Sequence, residues 1–314
     1  MKKISASEFF RKKIISEYQE INLPGTLSGN YSLTMLREDQ IHPQVSGNKF
    51  RKLKYNLLKA QNENYTTLLT FGGAFSNHIA AVAALGKEVG LQTIGIIRGE
   101  ELAAKILENP TLHFAQDCGM QLQFVSREAY KCKNERSFIK NLYEKFGNCY
   151  LLPEGGTNEL AVKGCEEILT ETASDFDYIC ASVGTGGTLS GIVSASLPHQ
   201  YVLGFSALKG TFQTSEVQKH TDKTNYEIID SYCFGGYAKI DPILIRFINE
   251  FKKTNGIQLD PVYTAKMMFG ITDLLKRGFF KENSRILAVH TGGLQGIAGM
   301  NQRLKKKNLP QIIV

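Results

Sequence analysis

Apolar residues in this chain gather into short, nearly unbroken runs, separated by longer stretches where they recur every three or four positions. The runs are "TTLLTF" (66 to 71), "TIGIIR" (93 to 98), "QLQFV" (121 to 125), "CYLLP" (149 to 153), "YICASV" (178 to 183), "YVLGFSA" (201 to 207) and "RILAVH" (285 to 290). Their β-branched and aromatic content predicts strands, and their weak alternation predicts parallel strands covered on both faces. The stretches between them read as helices: Phe50, Leu53, Leu57 and Leu58 in "SGNKFRKLKYNLLKA" (46 to 60) fall at helical spacing. This rhythm predicts helices packed over mostly parallel sheets, and 314 residues suffice for about two domains. No Pro/Gly/Ser linker interrupts the pattern, so a second domain is expected to be woven into the first rather than strung after it.

In open α/β sheets, ligands sit beyond the carboxyl ends of the strands. Four turns expected there place paired glycines between an apparent strand and an apparent helix: "TFGGAFSNHIAAVAALG", "LLPEGGTNELAVKG", "SVGTGGTLSGIV" and "AVHTGGLQGIAG". In "GTGGT" (Gly184, Thr185, Gly186, Gly187 and Thr188), the glycines permit close backbone approach, and the following helix would aim N–H groups at an anion. The loop lacks the Gly-Lys-Ser/Thr of a Walker loop, and Leu189 stands where a dinucleotide fingerprint needs its third glycine. A single phosphate monoester therefore fits better than a triphosphate or a pyrophosphate; the alternative is a tight βα turn with no ligand.

Lys49 stands at the mouth of the helix that follows "SGN", where the helix dipole disfavours a cation. Read alone, the stretch favours a solvated lysine among Arg51, Lys52 and Lys54. The sharper reading is an amine held neutral for imine chemistry. A reactive lysine and a monophosphate cradle on one parallel α/β scaffold together suggest pyridoxal 5'-phosphate, whose aldehyde needs an amine and whose phosphate needs a nest of N–H donors.

Composition narrows the function classes. Hydrophobic residues make up 42% and charged residues 21%, as in an ordinary globular protein. The start "MKKISASEFFRKKIISEY" has charges spread through its apolar residues, which fits neither a signal peptide nor a membrane span, so a cytoplasmic location is the expectation. Six cysteines without a C-x-x-C pair and six histidines without ligand spacing argue against a metal centre or disulfide framework. The net charge of +7 comes partly from "RKK" (11 to 13) and "KKK" (305 to 307), which read as solvated faces of surface helices, with no aromatic-basic pattern for nucleic acid.

The ordered set "SGNKFRKL", "GGAFSNH", "EGGTN", "GTGGT", "DPVYTAK" and "HTGG" resembles the 1-aminocyclopropane-1-carboxylate (ACC) deaminase and D-cysteine desulfhydrase family, within the tryptophan-synthase-β type of pyridoxal phosphate enzymes. The resemblance runs from about residue 35 to 300, nearly the whole chain. It implies the type II fold of two three-layer α/β domains, with residues 53–152 as a small domain inserted into a large one of 1–52 and 153–314. It also implies a homodimer acting on a small amino acid. By position, Lys49 is implied to be the Schiff-base lysine, with Lys52 near the phosphate and Gly184 to Thr188 binding it. Asn77 would donate to the ring's phenolic oxygen, Tyr263 would stack on the pyridine face, and Thr264 would meet the ring nitrogen. Ser76 would lie beside the substrate carboxylate or move a proton, Tyr237 in "CFGGYAK" would project toward the substrate, and His78 and Thr291 would complete its pocket.

Three positions bear on the substrate. The family's ACC deaminases are expected to carry Glu where this chain has Thr264, Leu for Thr291, and Gln for His78. A neutral hydroxyl at the ring nitrogen leaves a weaker electron sink than a carboxylate does. ACC has no α-hydrogen and makes heavier demands on that sink than D-cysteine, which offers an α-proton and a sulfur leaving group. The resemblance therefore implies D-cysteine cleavage to pyruvate, sulfide and ammonia, with Lys49 as base, and ACC deamination as the alternative. Two departures concern the pocket: Ala80 stands where an arginine is often seen, and the segment before "SGNK" is short. Separately, Ser76 and Thr157 could be plain helix caps, Tyr237 a packed loop aromatic, and His78 and His290 turn or core histidines. An L-amino-acid β-replacement enzyme of the same type lacks the lysine in "GNKxRKL". A catalytically silent binding protein on this scaffold is the reading from another class.

Overall fold

The computed structural model describes residues 4–11, 16–22 and 30–314. Ten strands are described: β1 (Tyr18–Glu20), β2 (Ser32–Leu36), β3 (Thr67–Gly72), β4 (Gln92–Arg98), β5 (Gln121–Val125), β6 (Tyr150–Leu151), β7 (Tyr178–Val183), β8 (Tyr201–Ser206), β9 (Tyr226–Ile229) and β10 (Arg285–Val289). They form a six-stranded sheet in the order β1-β2-β10-β7-β8-β9 and a four-stranded sheet in the order β5-β4-β3-β6. All pairings are parallel except that of β1 with β2.

Burial explains why the strands read as continuous apolar runs. Along β7, Tyr178 and Cys180 enter one core cluster while Ile179, Ala181 and Val183 enter another on the opposite face. In β3, Leu68 faces one cluster while Leu69 and Phe71 face a second. Each sheet therefore has helices on both faces, the three-layer α/β arrangement of the type II fold. β1, β2 and β9 are additions to the sequence reading. β1 and β9 are short edge strands with exposed residues among apolar ones, so they carry little of the both-faces-buried signal. "CYLLP" shortens to β6 because the chain turns at Pro153, which has no N–H to give a ladder.

The helix Asn48–Asn62 runs unbroken across position 52/53, and its Phe50, Leu53 and Leu57 share a core cluster with Leu68, Ile79 and Leu85 of the four-stranded unit. It is pinned from below by a buried ion pair: Arg51 Nε and Nη2 donate to Glu38 Oε2 and Oε1 at 2.9 and 2.8 Å. The "KKK" cluster ends the exposed last turn of the Gly296–Lys306 helix, and Arg11 ends the helix Ala6–Arg11. Lys12 and Lys13 of "RKK" lie outside the described residues. Among the described residues no helix is long and apolar enough to cross a membrane.

Candidate active site

Each of the glycine-bearing turns leaves the carboxyl end of its strand and enters a helix, and they converge on Lys49. Two residues before Lys49, the chain packs tightly on the turn after β10. Gly47 caps the Asn48–Asn62 helix at φ +62°, and a Cβ there would lie 2.0 Å from the Thr291 carbonyl oxygen. Only glycine lets the two chains approach this closely. Asn48 N donates to the same carbonyl at 3.3 Å, and Asn48 Nδ2 donates to Thr188 Oγ1 at 2.8 Å. Lys49 sits between these tethers in the wall of a cavity shared with Lys52, Asn77, Gly184, Thr185 and Tyr263. Its side chain keeps some solvent access, but protein surrounds the amine. That burial, reinforced by the nearby Lys52 charge, lowers the Lys49 pKa to about 7. The dominant cause is desolvation rather than the helix dipole invoked from sequence.

Opposite Lys49, the GTGGT loop leads into the helix Gly187–Ala195 through Gly186 at φ +91°. The first N–H groups of that helix have no intrahelical partner and carry the positive end of its dipole. A Cβ on Gly187 would lie 2.7 Å from Thr157 Cγ2, so the "EGGTN" turn is seated directly on the cradle. Lys52 is buried and donates to Gly155 O and Thr157 Oγ1, each at 3.0 Å. Thr157 Oγ1 in turn lies 2.6 Å from Thr185 Oγ1. Sequence singled out Lys52; the Gly155 and Thr157 anchors that aim it were missed, since nothing local marks a contact across 105 residues.

Beside the cavity but not in its lining, Ser76 caps the helix Asn77–Val89, its Oγ accepting from Ile79 N at 3.3 Å. Its hydroxyl proton remains free to donate. Asn77 lines the cavity and its Oδ1 accepts from Gln295 Nε2. His78 does not reach the cavity. Its ring lies 1% exposed, with Nε2 2.8 Å from Thr70 Oγ1, which donates onward to Leu152 O at 3.0 Å. Burial, then the Lys49 and Lys52 charges, push its pKa well below the ordinary value. The expected place of His78 in the substrate pocket is therefore corrected: the helix turns the side chain following Asn77 into the protein. Ala80 is likewise buried. His290 is a turn histidine, accepting from Gly292 N at 3.2 Å and lying 2.8 Å from Gln258 O through Nε2.

Tyr263 lines the cavity beside Gly184, where a Cβ would lie 3.1 Å from its ring. Desolvation raises its pKa well above the usual phenol value. Tyr237 meets it edge to face at 6.3 Å between centroids. The Tyr237 loop is tied down by buried Lys266, which donates to Cys233 O and Gly236 O at 2.8 Å. Thr264 is the second correction. It is fully buried off the cavity wall, with its hydroxyl donating to Asp260 Oδ2 at 2.7 Å and accepting from Asp260 N at 2.9 Å. The Asp260 carboxylate also takes the N–H groups of Val262, Tyr263 and Thr264, an Asx turn that "DPVYT" is built to make. Among the hydroxyls that do line the cavity, those of Ser182 and Thr291 lie 3.1 Å apart. Ser182 was missed because it reads as a strand residue.

Cavity, cradle and lysine fit a pyridoxal 5'-phosphate: a desolvated amine faces unpaired helix N–H groups and a buried ammonium, with an aromatic ring on one side. Among the described residues no cluster of His, Cys, Asp and Glu could hold a metal ion. The family described as pyridoxal-phosphate dependent enzyme matches residues 26–292. A Thermotoga maritima protein provisionally named 1-aminocyclopropane-1-carboxylate deaminase is 30% identical over 87% of this chain and 92% of its own. The mitochondrial bifunctional D-cysteine desulfhydrase/1-aminocyclopropane-1-carboxylate deaminase of Arabidopsis thaliana is 29% identical over 88% of this chain and 75% of its own. A crystal structure of an ACC deaminase homologue superposes with a TM-score of 0.80 at 25% identity, covering 96% of this chain and 98% of that one.

Proposed function

The chain belongs to the pyridoxal-phosphate-dependent enzyme family, and on that premise we propose that it is a deaminating lyase for D-cysteine and β-substituted amino acids of that kind. Bound at this site, the cofactor supplies an electron sink for the charge left on a substrate's α-carbon. Lys49 is the attachment amine and the base: with a pKa of about 7 it can both take and return a proton near neutrality. Lys52, the GTGGT backbone and Thr188 hold the phosphate, Asn77 donates to the phenolic oxygen, and Tyr263 covers the ring face. Ser76 offers its hydroxyl to the substrate carboxylate, Thr291 borders the substrate, and Tyr237 closes over it.

The observation that carries the choice of substrate is the engagement of Asp260. Its carboxylate is saturated by three N–H groups and the Thr264 hydroxyl, and the residues lining the cavity, Ser182 and Thr291 among them, include no Asp or Glu. Among the described residues no free carboxylate then stands by to stabilise a protonated ring nitrogen, which suits α-proton removal and β-elimination better than opening the ACC ring. Relatives with both names support the reaction class. Steady-state assays on D-cysteine, L-cysteine, β-chloro-D-alanine and ACC test the reading; preferential turnover of ACC overturns it. In the same reading the inserted unit (53–152) brings Ser76 and Asn77, the remainder (1–52 and 153–314) brings Tyr263 and GTGGT, and the enzyme is a cytoplasmic homodimer. Sedimentation and cell fractionation check the last point.

A further inference from the structure

Arg98 ends β4 at its carboxyl edge, beside the loop that carries Ser76 and Asn77. A Cβ placed on Gly73 of that loop would lie 3.5 Å from Arg98 Nη2. The guanidinium also lies 5.8 Å from the centroid of the Tyr130 ring. The carboxylate on this wall is Glu154, and it is already engaged: Tyr130 Oη donates to Oε1 at 2.8 Å, and Lys133 Nζ pairs with Oε2 at 3.2 Å. Among the described residues no carboxylate forms an ion pair with Arg98.

Tyr237 is 46% exposed and packs against Tyr263, which lines the cavity. The charges of Arg98 and Glu154 both act on the Tyr237 hydroxyl, Arg98 lowering its pKa against the burial that raises it. The arginine therefore lies beside the Gly73 loop that leads to Ser76 and Asn77, within electrostatic reach of Tyr237, whose ring packs on the cavity-lining Tyr263. A planar guanidinium without a carboxylate partner is suited to binding an oxyanion through paired N–H donors.

We infer that Arg98 reads a second anionic group on the substrate's side chain, so that the preferred amino acids carry a negatively charged β-substituent. This deepens the lyase reading and rests on it, because Ser76 is there assigned to the α-carboxylate and leaves Arg98 for the other end of the molecule. A thiolate, sulfonate or phosphate ester shares this chemistry.

The test is a titration of the holoenzyme with cysteate and with alanine, each as both enantiomers, read by the change in visible absorbance of the bound cofactor. Cysteate has the carbon skeleton of cysteine with a permanent side-chain anion; alanine lacks it. The unsubstituted protein is expected to bind one cysteate enantiomer at least about tenfold more tightly than the matching alanine. Arg98→Met is expected to weaken cysteate by roughly ten- to a hundredfold while leaving alanine within about twofold. Arg98→Lys should recover part of the loss, and both variants should keep the cofactor spectrum, since Arg98 lies outside the core. Unchanged cysteate binding in Arg98→Met overturns the inference. Equal weakening of alanine and cysteate also overturns it, by assigning the guanidinium to the α-carboxylate. An unsubstituted protein that never acquires the visible band sinks the lyase reading itself, and the inference with it.

Discussion

Gln295 Nε2 donates to Asn77 Oδ1 across 218 residues of sequence. With its oxygen engaged, the Asn77 side chain has its NH2 left to donate, which is what a phenolate would require. Gln295→Glu reverses the polarity of this contact, because a carboxylate can only accept and would draw the Asn77 NH2 to itself. The expected outcome is about a tenfold weaker hold on pyridoxal phosphate, from the loss of one hydrogen bond to a charged oxygen. Equilibrium dialysis followed by cofactor absorbance measures it, and Gln295→Leu, which leaves the amide free to turn either way, should lose less.

The Lys49 amine has its pKa lowered to about 7 from an ordinary value of 10.5. Below neutrality it is protonated and cannot attack an aldehyde; above neutrality it is free. Uptake of pyridoxal phosphate by the cofactor-free protein should therefore accelerate as pH rises through about 7 and then level off, well before an exposed lysine would respond. Lys49→Ala should abolish the covalent visible band, and borohydride reduction followed by peptide mapping should place the tag on residue 49 alone.

Removing Arg51 leaves the Glu38 carboxylate, which is 0% exposed, without its bidentate partner. An uncompensated buried charge costs about 3 to 5 kcal/mol. Arg51→Met should lower unfolding stability by that order in urea titration. The helix carrying Lys49 should loosen with it, which amide hydrogen exchange over residues 48–62 would register.

Gly47→Ala combines a left-handed backbone with a Cβ that would lie 2.0 Å from the Thr291 carbonyl oxygen. Strain of this kind costs about 1 to 3 kcal/mol before the clash is counted. The variant should melt earlier and retain cofactor poorly, because separating the two loops moves Asn48 from Thr188 and with it the lysine.

Thr264→Val should separate structure from electronics. Its hydroxyl bonds only Asp260 side-chain and backbone atoms, so the loss should appear as about 1 to 2 kcal/mol of stability, with little change in the cofactor's spectrum. Thr291→Val, at the cavity wall, should show the reverse pattern.

Much of the site was legible because its chemistry is local. Lys49, Lys52, Asn77, Tyr263 and, of GTGGT, Gly184, Thr185, Gly186 and Thr188 line the cavity, and each lies in a short motif whose backbone form follows from its own glycines and caps. Thr264 and His78 were misread for a geometric reason. In "DPVYT" the aspartate outcompetes a ligand for the threonine hydroxyl, and in "SNH" the helix begins at Asn77, so the next side chain points inward. β1 and β9 escaped notice because edge strands need not be apolar on both faces.

Sequence by itself determined the parallel α/β class, the glycine turns and the residue types that imine and phosphate chemistry require, because strand burial and backbone freedom are properties of neighbours in the chain. Only the tertiary structure decided the lowered Lys49 pKa, the saturation of Asp260, the Gln295–Asn77 hydrogen bond and the lack, among the described residues, of a carboxylate ion-paired with Arg98. Desolvation and hydrogen-bond partnership depend on atoms brought together from distant segments, and no local pattern encodes which of them will meet.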